Sequence, residues 1–413
     1  MDFQLHDTAE QIAFRKEVRA WLEANIPKEF EDSVPTDMLN CTEEQFLWAR
    51  DFERKLGVAG WFAPTMPKEY GGGGLSLDQS IVLAEEIGAH NLPSTGNVGY
   101  RLFSHAMLAW GSEEQKRKFL TPILRGEVCV WQLFTEPEAG SDLASLKTRA
   151  VEDGDDLVIN GNKIFVGEKF HTDYFYALAV TDPTAPRHNN MGAFLIPANL
   201  PGITIDRLDL IAGGGKRAVF FEDTRVPREY LIGGKTQGWW VANSTLEVEH
   251  GGGGRAVPRN HTIDALIAYA KQTIRRGQPL IRDPLMQRRI VDAYINAHIG
   301  RLLNMRNFWM RENGIQGGHE GSQASLHGKT SSPELARAVR ETLGPWALID
   351  DPELAPARGE FEHQQRSSIL TSPGGTPNIQ KLIMARRIGM SRTPLEQQGS
   401  RDVKPPQTTK TDS

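Results

Sequence analysis

The sequence changes its repeat twice. Residues 127–235 carry short runs of β-branched and aromatic residues between turn dipeptides, whereas the stretches on both sides repeat apolar residues at helical spacing. A helical stripe has period 3.6 and a strand face has period 2, so one layer cannot satisfy both. The chain therefore reads as α+β in three units: an N-terminal helical domain (1–126), a central β-domain (127–235) and a C-terminal helical bundle (236–392). A polar tail (393–413) reads as disordered.

Within the central zone the runs Tyr174–Val180, Ala193–Pro197, Ile203–Leu208 and Ala218–Glu222 follow at regular spacing. Asp153-Gly154 and Asn160-Gly161 read as hairpin turns. The pattern suits a small antiparallel barrel or sandwich. No GxGxxG follows a strand, so a Rossmann-type dinucleotide site is not supported.

In the first zone Asp7 and Glu10 read as a capping box, followed by Ile12, Val18, Leu22 and Ile26 near the helical period. Ser112 and Gln115 form a second box ahead of Phe119, Leu120, Ile123 and Leu124. The third zone contains a long helical pattern over Pro284–Glu312. Its last helix is expected to start at Thr376-Pro377 and stop at Gly389.

Several classes are excluded. The net charge is −5 with no basic concentration, which argues against nucleic acid as the main partner. Cys41 and Cys129 are the only cysteines, too few for a disulfide framework or a Cys-based zinc site, and no metal is expected. No apolar run approaches the ~20 residues needed to span a bilayer. The first residues lack the basic-then-apolar pattern of a secretory signal, so a cytoplasmic location is expected.

Four blocks then point to one family. WQLFTEPEAGSDLASLKT (131–148), GWFAPTMPKEYGGGGLS (60–76), VFFEDTRVP (219–227) and GGTPNIQKLIMARRIG (374–389) resemble the acyl-CoA dehydrogenases in order and spacing, from about residue 5 to 392. The resemblance implies an N-terminal helical domain, a central β-domain and a C-terminal four-helix bundle. It also implies bound FAD, an acyl-CoA thioester substrate in lipid metabolism, and α,β-dehydrogenation with electrons passed to an electron-transfer flavoprotein. The implied assembly is a dimer or a dimer of dimers.

The chemistry requires a carboxylate base at the α-carbon and hydrogen-bond donors on the thioester oxygen. Many family members place the base just before the Gly-Thr that opens the last helix, a position occupied here by Gly374. A minority carry it on a helix after the β-domain, where Glu249 aligns; Glu247 lies on another side of that helix. Gly374 keeps a backbone N–H for the thioester oxygen. The competing readings are a solvated carboxylate at 249 and a turn-forming glycine at 374. His250 stands where the family often has Arg, at the substrate's entrance, and Gly251–Gly254 read either as a broken helix or close helix packing or as room for a branched, cyclic or bulky acyl group.

For FAD, the resemblance implies Gln132, Phe134 and Thr135 along the ring edge. Gly140 belongs to the same segment, and Ser141 would lie between the FAD phosphates and the CoA arm. Phe165 and Gly167 depart from the family's Trp and Ser/Thr. Arg275 or Arg276 would either reach a phosphate from a neighbouring subunit, without the usual aromatic beside it, or be a surface-loop arginine. The Gly344-Pro345-Trp346 turn would line the adenine side, and Thr376 and Asn378 would meet the cofactor at the start of the last helix. Two alternatives remain open: an oxidase or flavin-dependent monooxygenase on the same fold, and a half-competent subunit of a heterotetramer rather than a homotetramer.

Overall fold

A computed structural model describes residues 7–28, 41–90, 92–167, 170–212, 215–249, 260–315, 317–351 and 353–390. His250, the Gly251–Gly254 run and the 393–413 tail lie outside these residues.

The N-terminal helices are α1 (Ala9–Asn25), α2 (Glu43–Val58), α3 (Leu77–Ile87) and α4 (Ser104–Trp110), followed by helical turns over residues 113–124. The capping box of α1 is Thr8 with Gln11, one residue later than the Asp7/Glu10 reading; Asp7 instead binds Arg15 at 2.8 Å. The same Ser/Thr-x-x-Gln spacing recurs at Thr42/Gln45, Ser76/Gln79 and the expected Ser112/Gln115. In each, the hydroxyl accepts from the third residue's N–H while the glutamine reaches back to the cap's own N–H, satisfying two orphan donors. Phe14, Val18 and Leu22 pack with Phe52, Leu56, Val82 and Leu83, while Ile12 is exposed.

The central sheet has eight strands: β1 (Val130–Leu133), β2 (Arg149–Asp153), β3 (Asp156–Val166), β4 (Tyr174–Val180), β5 (Met191–Pro197), β6 (Ile203–Leu208), β7 (Lys216–Pro227) and β8 (Leu231–Ile232). The order is β6-β7-β3-β2-β4-β5-β8, with β1 beside β4. Most ladders are antiparallel, but β1 and β2 both run parallel to β4, and the sheet is mixed and does not close into a barrel. Both parallel strands share one edge of β4, β1 against Tyr174–Ala177 and β2 at Val180, which leaves no continuous antiparallel circuit.

Asp153-Gly154 turns the β2–β3 hairpin as expected. Asn160-Gly161 does not turn: it lies inside β3, at a register shift against β7. A Cβ at Gly161 would sit 2.5 Å from Thr148 Oγ1, so this glycine serves close approach at a bulge.

The C-terminal helices are α5 (Gly238–Glu247), α6 (His261–Gln272), α7 (Pro284–Glu312), α8 (Glu320–Leu343), α9 (Glu360–Ser368) and α10 (Pro377–Arg387). Helix α8 packs on α7, α9 and α10, and α6 contacts α7 and α9. Ile263, Leu266, Ile290, Leu335, Val339 and Phe361 are among the residues of their shared core. Along α7 the apolar pattern is only partly buried: Val291, Ile295, Ile299 and Leu302 stay 39–51% exposed.

Candidate active site

Strand alternation builds the first wall. On β1, Trp131 and Leu133 enter the interior of the β-domain with Phe175 and Phe221, whereas Val130, and Phe134 just past the strand, face the helices. Gln132 shares that second face and pairs with Tyr176 of β4. Helix α5 lies against the same face, where Val241 and Ala242 pack with Leu178, Met191 and Ala193. The Tyr176 hydroxyl meets Thr245 Oγ1 of α5 at 3.2 Å. Burial, aided by the charge of Glu249 and opposed by the bond to Thr245, drives the Tyr176 phenol above its ordinary range.

Four residues past Thr245, one turn onward on the same side, stands Glu249. The helix widens into a π-type turn at Val248 and Glu249. Gln132 Nε2 donates to Glu249 Oε2 at 3.0 Å, joining positions 117 residues apart. Glu247 is exposed and takes no part.

The opposite wall is the loop before α10. Gly374 and Gly375 have φ of 65° and 81°, the left-handed region that favours glycine. A Cβ at Gly374 would lie 3.8 Å from Glu249 Cγ and 3.9 Å from Glu249 Oε1. The Glu249 side chain and the glycine therefore face one space. Gln380, fully buried in the first turns of α10, donates from Nε2 to the Gly374 carbonyl at 2.7 Å. Lys329 of α8 donates to the Thr371 carbonyl at 3.1 Å and to the Pro373 carbonyl. Burial lowers the Lys329 ammonium's pKa, and the charge of Glu249 partly opposes this. The sequence reading missed Lys329 and Gln380; the fourth block contains Gln380, but nothing local marks either residue.

Residues 134–148 form a braced loop. Phe134 is buried edge-on against Tyr176 at 5.0 Å, so only its main chain is free to meet a ligand. The Thr135 carbonyl accepts from Ile164 N at 2.9 Å, and Gly140 and Ser141 are exposed. The brace is Glu136, also missed. It accepts from Lys147 N at 2.6 Å, Thr148 N at 3.1 Å and Lys163 Nζ at 2.7 Å. Burial pushes this carboxyl up, but the Lys163 charge and these hydrogen bonds hold it below its usual range. The available signal was a lysine at an inward position of β3.

Phe165 is 55% exposed with φ 59°. Gly167 has φ 55°, and a Cβ there would lie 2.2 Å from the Trp131 ring. Trp131 therefore excludes any side chain at 167, which accounts for the missing hydroxyl. Thr376 caps α10 through Ile379 N at 3.2 Å, and Asn378 is exposed beside it.

Arg275 and Arg276 do not join this cluster within the chain. Ile274–Arg275 and Gln278–Pro279 form a small hairpin turned by Arg276 and Gly277, both at positive φ. Arg275 donates to the Thr342 carbonyl at 3.1 Å. Thr342 is thirteen residues past Lys329 on α8, ~20 Å at the helical rise. Trp346, in the turn that follows, is 53% exposed.

A flavin fits these residues. Gln132 Oε1 is buried without a hydrogen-bond partner, and Phe165 offers an exposed aromatic ring on β3. Among the described residues no cluster of metal-ligating side chains occurs.

Comparison with known proteins agrees over nearly the whole chain. Residues 8–127 match the family description "Acyl-CoA dehydrogenase, N-terminal domain", residues 132–223 the middle domain and residues 236–389 the C-terminal domain. Acyl-CoA dehydrogenase IpdE1 of Mycobacterium tuberculosis is 31% identical over 387 residues, covering 91% of this chain and 96% of that protein. The solved Tcur3481-Tcur3483 steroid ACAD has a TM-score of 0.80 at 28% identity, covering 95% of this chain and 100% of that one. The ChsE4-ChsE5 complex from Mycobacterium tuberculosis gives 0.80 at 26% identity, covering 95% and 100%. The family matched by all three domain descriptions implies a flavin cofactor.

Proposed function

Because the chain belongs to the acyl-CoA dehydrogenase family, we propose that it carries out α,β-dehydrogenation of a bulky acyl-CoA thioester with FAD bound and Glu249 as the base. The observation that carries this reading is the Glu249 carboxylate, held by Gln132 at 3.0 Å and facing Gly374 across a gap that a Cβ would bring to 3.9 Å. FAD, when bound, supplies the two-electron acceptor for the β-hydrogen. The chain's own residues do the rest. Glu249 takes the α-proton, and Gln132 holds the carboxylate in place. The Gly374 N–H donates to the thioester oxygen as negative charge grows there. Main-chain groups of Gln132, Phe134 and Thr135 would hold the ring edge and Phe165 would cover its face, with Gly167 packed against the Trp131 ring. Gly140, Ser141, Thr376 and Asn378 position the remaining polar parts.

A polycyclic or otherwise bulky acyl group is the substrate class we favour. The solved relative is named a steroid ACAD, and the Gly251–Gly254 run begins two residues past the base, after His250. Assembly with a second chain fits the Arg275–Arg276 hairpin, which stands ~20 Å from Lys329 along α8 and serves nothing in its own site. It also fits the exposed face of α7, and ChsE4-ChsE5 is itself a complex. We assign electron-transfer flavoprotein as acceptor and the cytoplasm as location; no described helix is long and apolar enough to cross a membrane.

The test is anaerobic bleaching of the flavin by a panel of acyl-CoA thioesters. Glu249→Gln should slow bleaching by the best substrate by about 10²–10⁴-fold, the usual range for a lost general base, with flavin content unchanged. Bleaching at the wild-type rate would remove Glu249 from the reaction.

A further inference from the structure

We propose that Lys329 and Gln380 are positioning residues that clamp the two peptide planes flanking Gly374, and so set the direction and strength of the Gly374 N–H as donor to the thioester oxygen. The inference rests on the functional reading above, but it concerns different atoms.

The need for a clamp follows from the glycine pair. Gly374 and Gly375 both occupy positive φ, and two adjacent glycines give a chain its greatest backbone freedom. A donor aimed at a developing oxyanion must already point there before reaction, or its reorientation adds to the barrier. Backbone freedom and aim conflict unless something outside the loop holds both planes.

Both planes are held. The Gly374 N–H belongs to the same planar trans peptide as the Pro373 carbonyl, so the two point in opposite directions. Lys329 donates to that carbonyl, and to the Thr371 carbonyl at 3.1 Å. Fixing the Pro373 oxygen fixes the direction of the Gly374 N–H. A cation on the oxygen also polarises the amide and strengthens the donor at its other end. Gln380 Nε2 holds the next plane through the Gly374 carbonyl at 2.7 Å. Gln380 is fully buried, so it cannot easily swing away. Among the described residues the Gly374 N–H has no hydrogen-bond partner, as a donor kept for a ligand should not.

The choice of partners is informative. Lys329 lies close enough to Glu249 to feel its charge, yet its hydrogen bonds go to carbonyls and not to that carboxylate. A direct ion pair would make Glu249 a weaker base. The lysine strengthens the donor and leaves the base free. The two residues come from α8 and α10, so the packing of those helices sets the aim of the N–H.

The experiment uses flavin-loaded enzyme and an acyl-CoA labelled with ¹³C at the thioester carbonyl. In the Glu249→Gln background, where turnover is slowed enough to observe bound substrate, isotope-edited infrared spectroscopy reads the hydrogen bonding of the bound carbonyl directly. Adding Lys329→Met should move the band back toward its free position, and Lys329→Arg should retain most of the shift. In the otherwise native enzyme, Lys329→Met should lower kcat by about 10–100-fold, less than full removal of an oxyanion donor, with KM and flavin content nearly unchanged. Gln380→Met tests the same clamp from α10 without changing charge, should Lys329→Met not fold, and the same band movement is expected. An unmoved carbonyl band, or a loss confined to KM, flavin content or stability, overturns the proposal. Failure of the underlying reading looks different: no thioester bleaches the wild-type flavin, or Glu249→Gln bleaches normally.

Discussion

Replacing Lys163 with methionine should unbrace the loop that carries Thr135 and Ser141. Lys163 and Glu136 are 0% and 6% exposed, with Nζ 2.7 Å from Oε1. Methionine keeps most of the volume but removes the charge. The carboxylate then retains the Lys147 and Thr148 N–H groups at 2.6 and 3.1 Å and loses its cation. Removing one partner of a buried pair costs about 3–5 kcal/mol, whereas neutralising both is often close to neutral. The double variant Glu136→Gln/Lys163→Met should therefore recover most of the loss, a coupling of at least ~2 kcal/mol. The assay is urea unfolding of all four proteins at one protein and flavin concentration, followed by tryptophan fluorescence. The pH dependence supplies a sign check. Glu136 has a depressed folded pKa in the wild type, so its contribution is present above the unfolded value and fades as pH falls through the folded one. In Lys163→Met, uncompensated burial raises that pKa instead, so the penalty should shrink in acid as the carboxyl protonates. A penalty below ~1 kcal/mol, or an equal penalty in the Glu136→Gln background, would refute the reasoning.

Two further outcomes follow from single side chains. Glu53 is half-buried with its Oε2 atom enclosed and unpartnered, and desolvation, only partly offset by Thr95, lifts its pKa from 4.5 to about 7. The folded state thus holds a proton the unfolded chain releases earlier, and stability falls as pH rises between those values, by up to ~3 kcal/mol. Glu53→Gln should flatten that slope in thermal melts across the window; an unchanged slope would assign it to other groups. At Gly167, serine would enter left-handed backbone and meet the Trp131 ring 2.2 Å from its Cβ, costing ~2–5 kcal/mol in strain and overpacking. Gly167→Ser should lower both the melting temperature and flavin content, and a stable variant with full flavin would show that Trp131 can move.

Much of the fold was legible because its cues are local. The Ser112/Gln115 box, the bounds of β4, β6 and α7, and the Thr376 cap each depend on residues within a few positions of one another. Errors arose where one local cue served two structures. Asn160-Gly161 suits a turn or a bulge, and the register shift against β7, with Thr148 packed on Gly161, shows the bulge. The apolar residues of α7 mark a helix but do not say which of them another helix covers.

The sequence by itself determined the α, β, α order and, through motif resemblance, the family, and it offered Gly374 and Glu249 as the site residues we propose. Only the tertiary structure decided that Gln132 grips Glu249 from 117 residues away and that the glycine stands against it. The same holds for Lys329 and Gln380 at the Gly374 loop and for Lys163 under Glu136. Caps and turns are closed by hydrogen bonds between near neighbours along the chain, so their residues announce them. A site is closed by packing between separate elements, and the side chains that meet there share no local pattern until the sheet face and three helices bring them together.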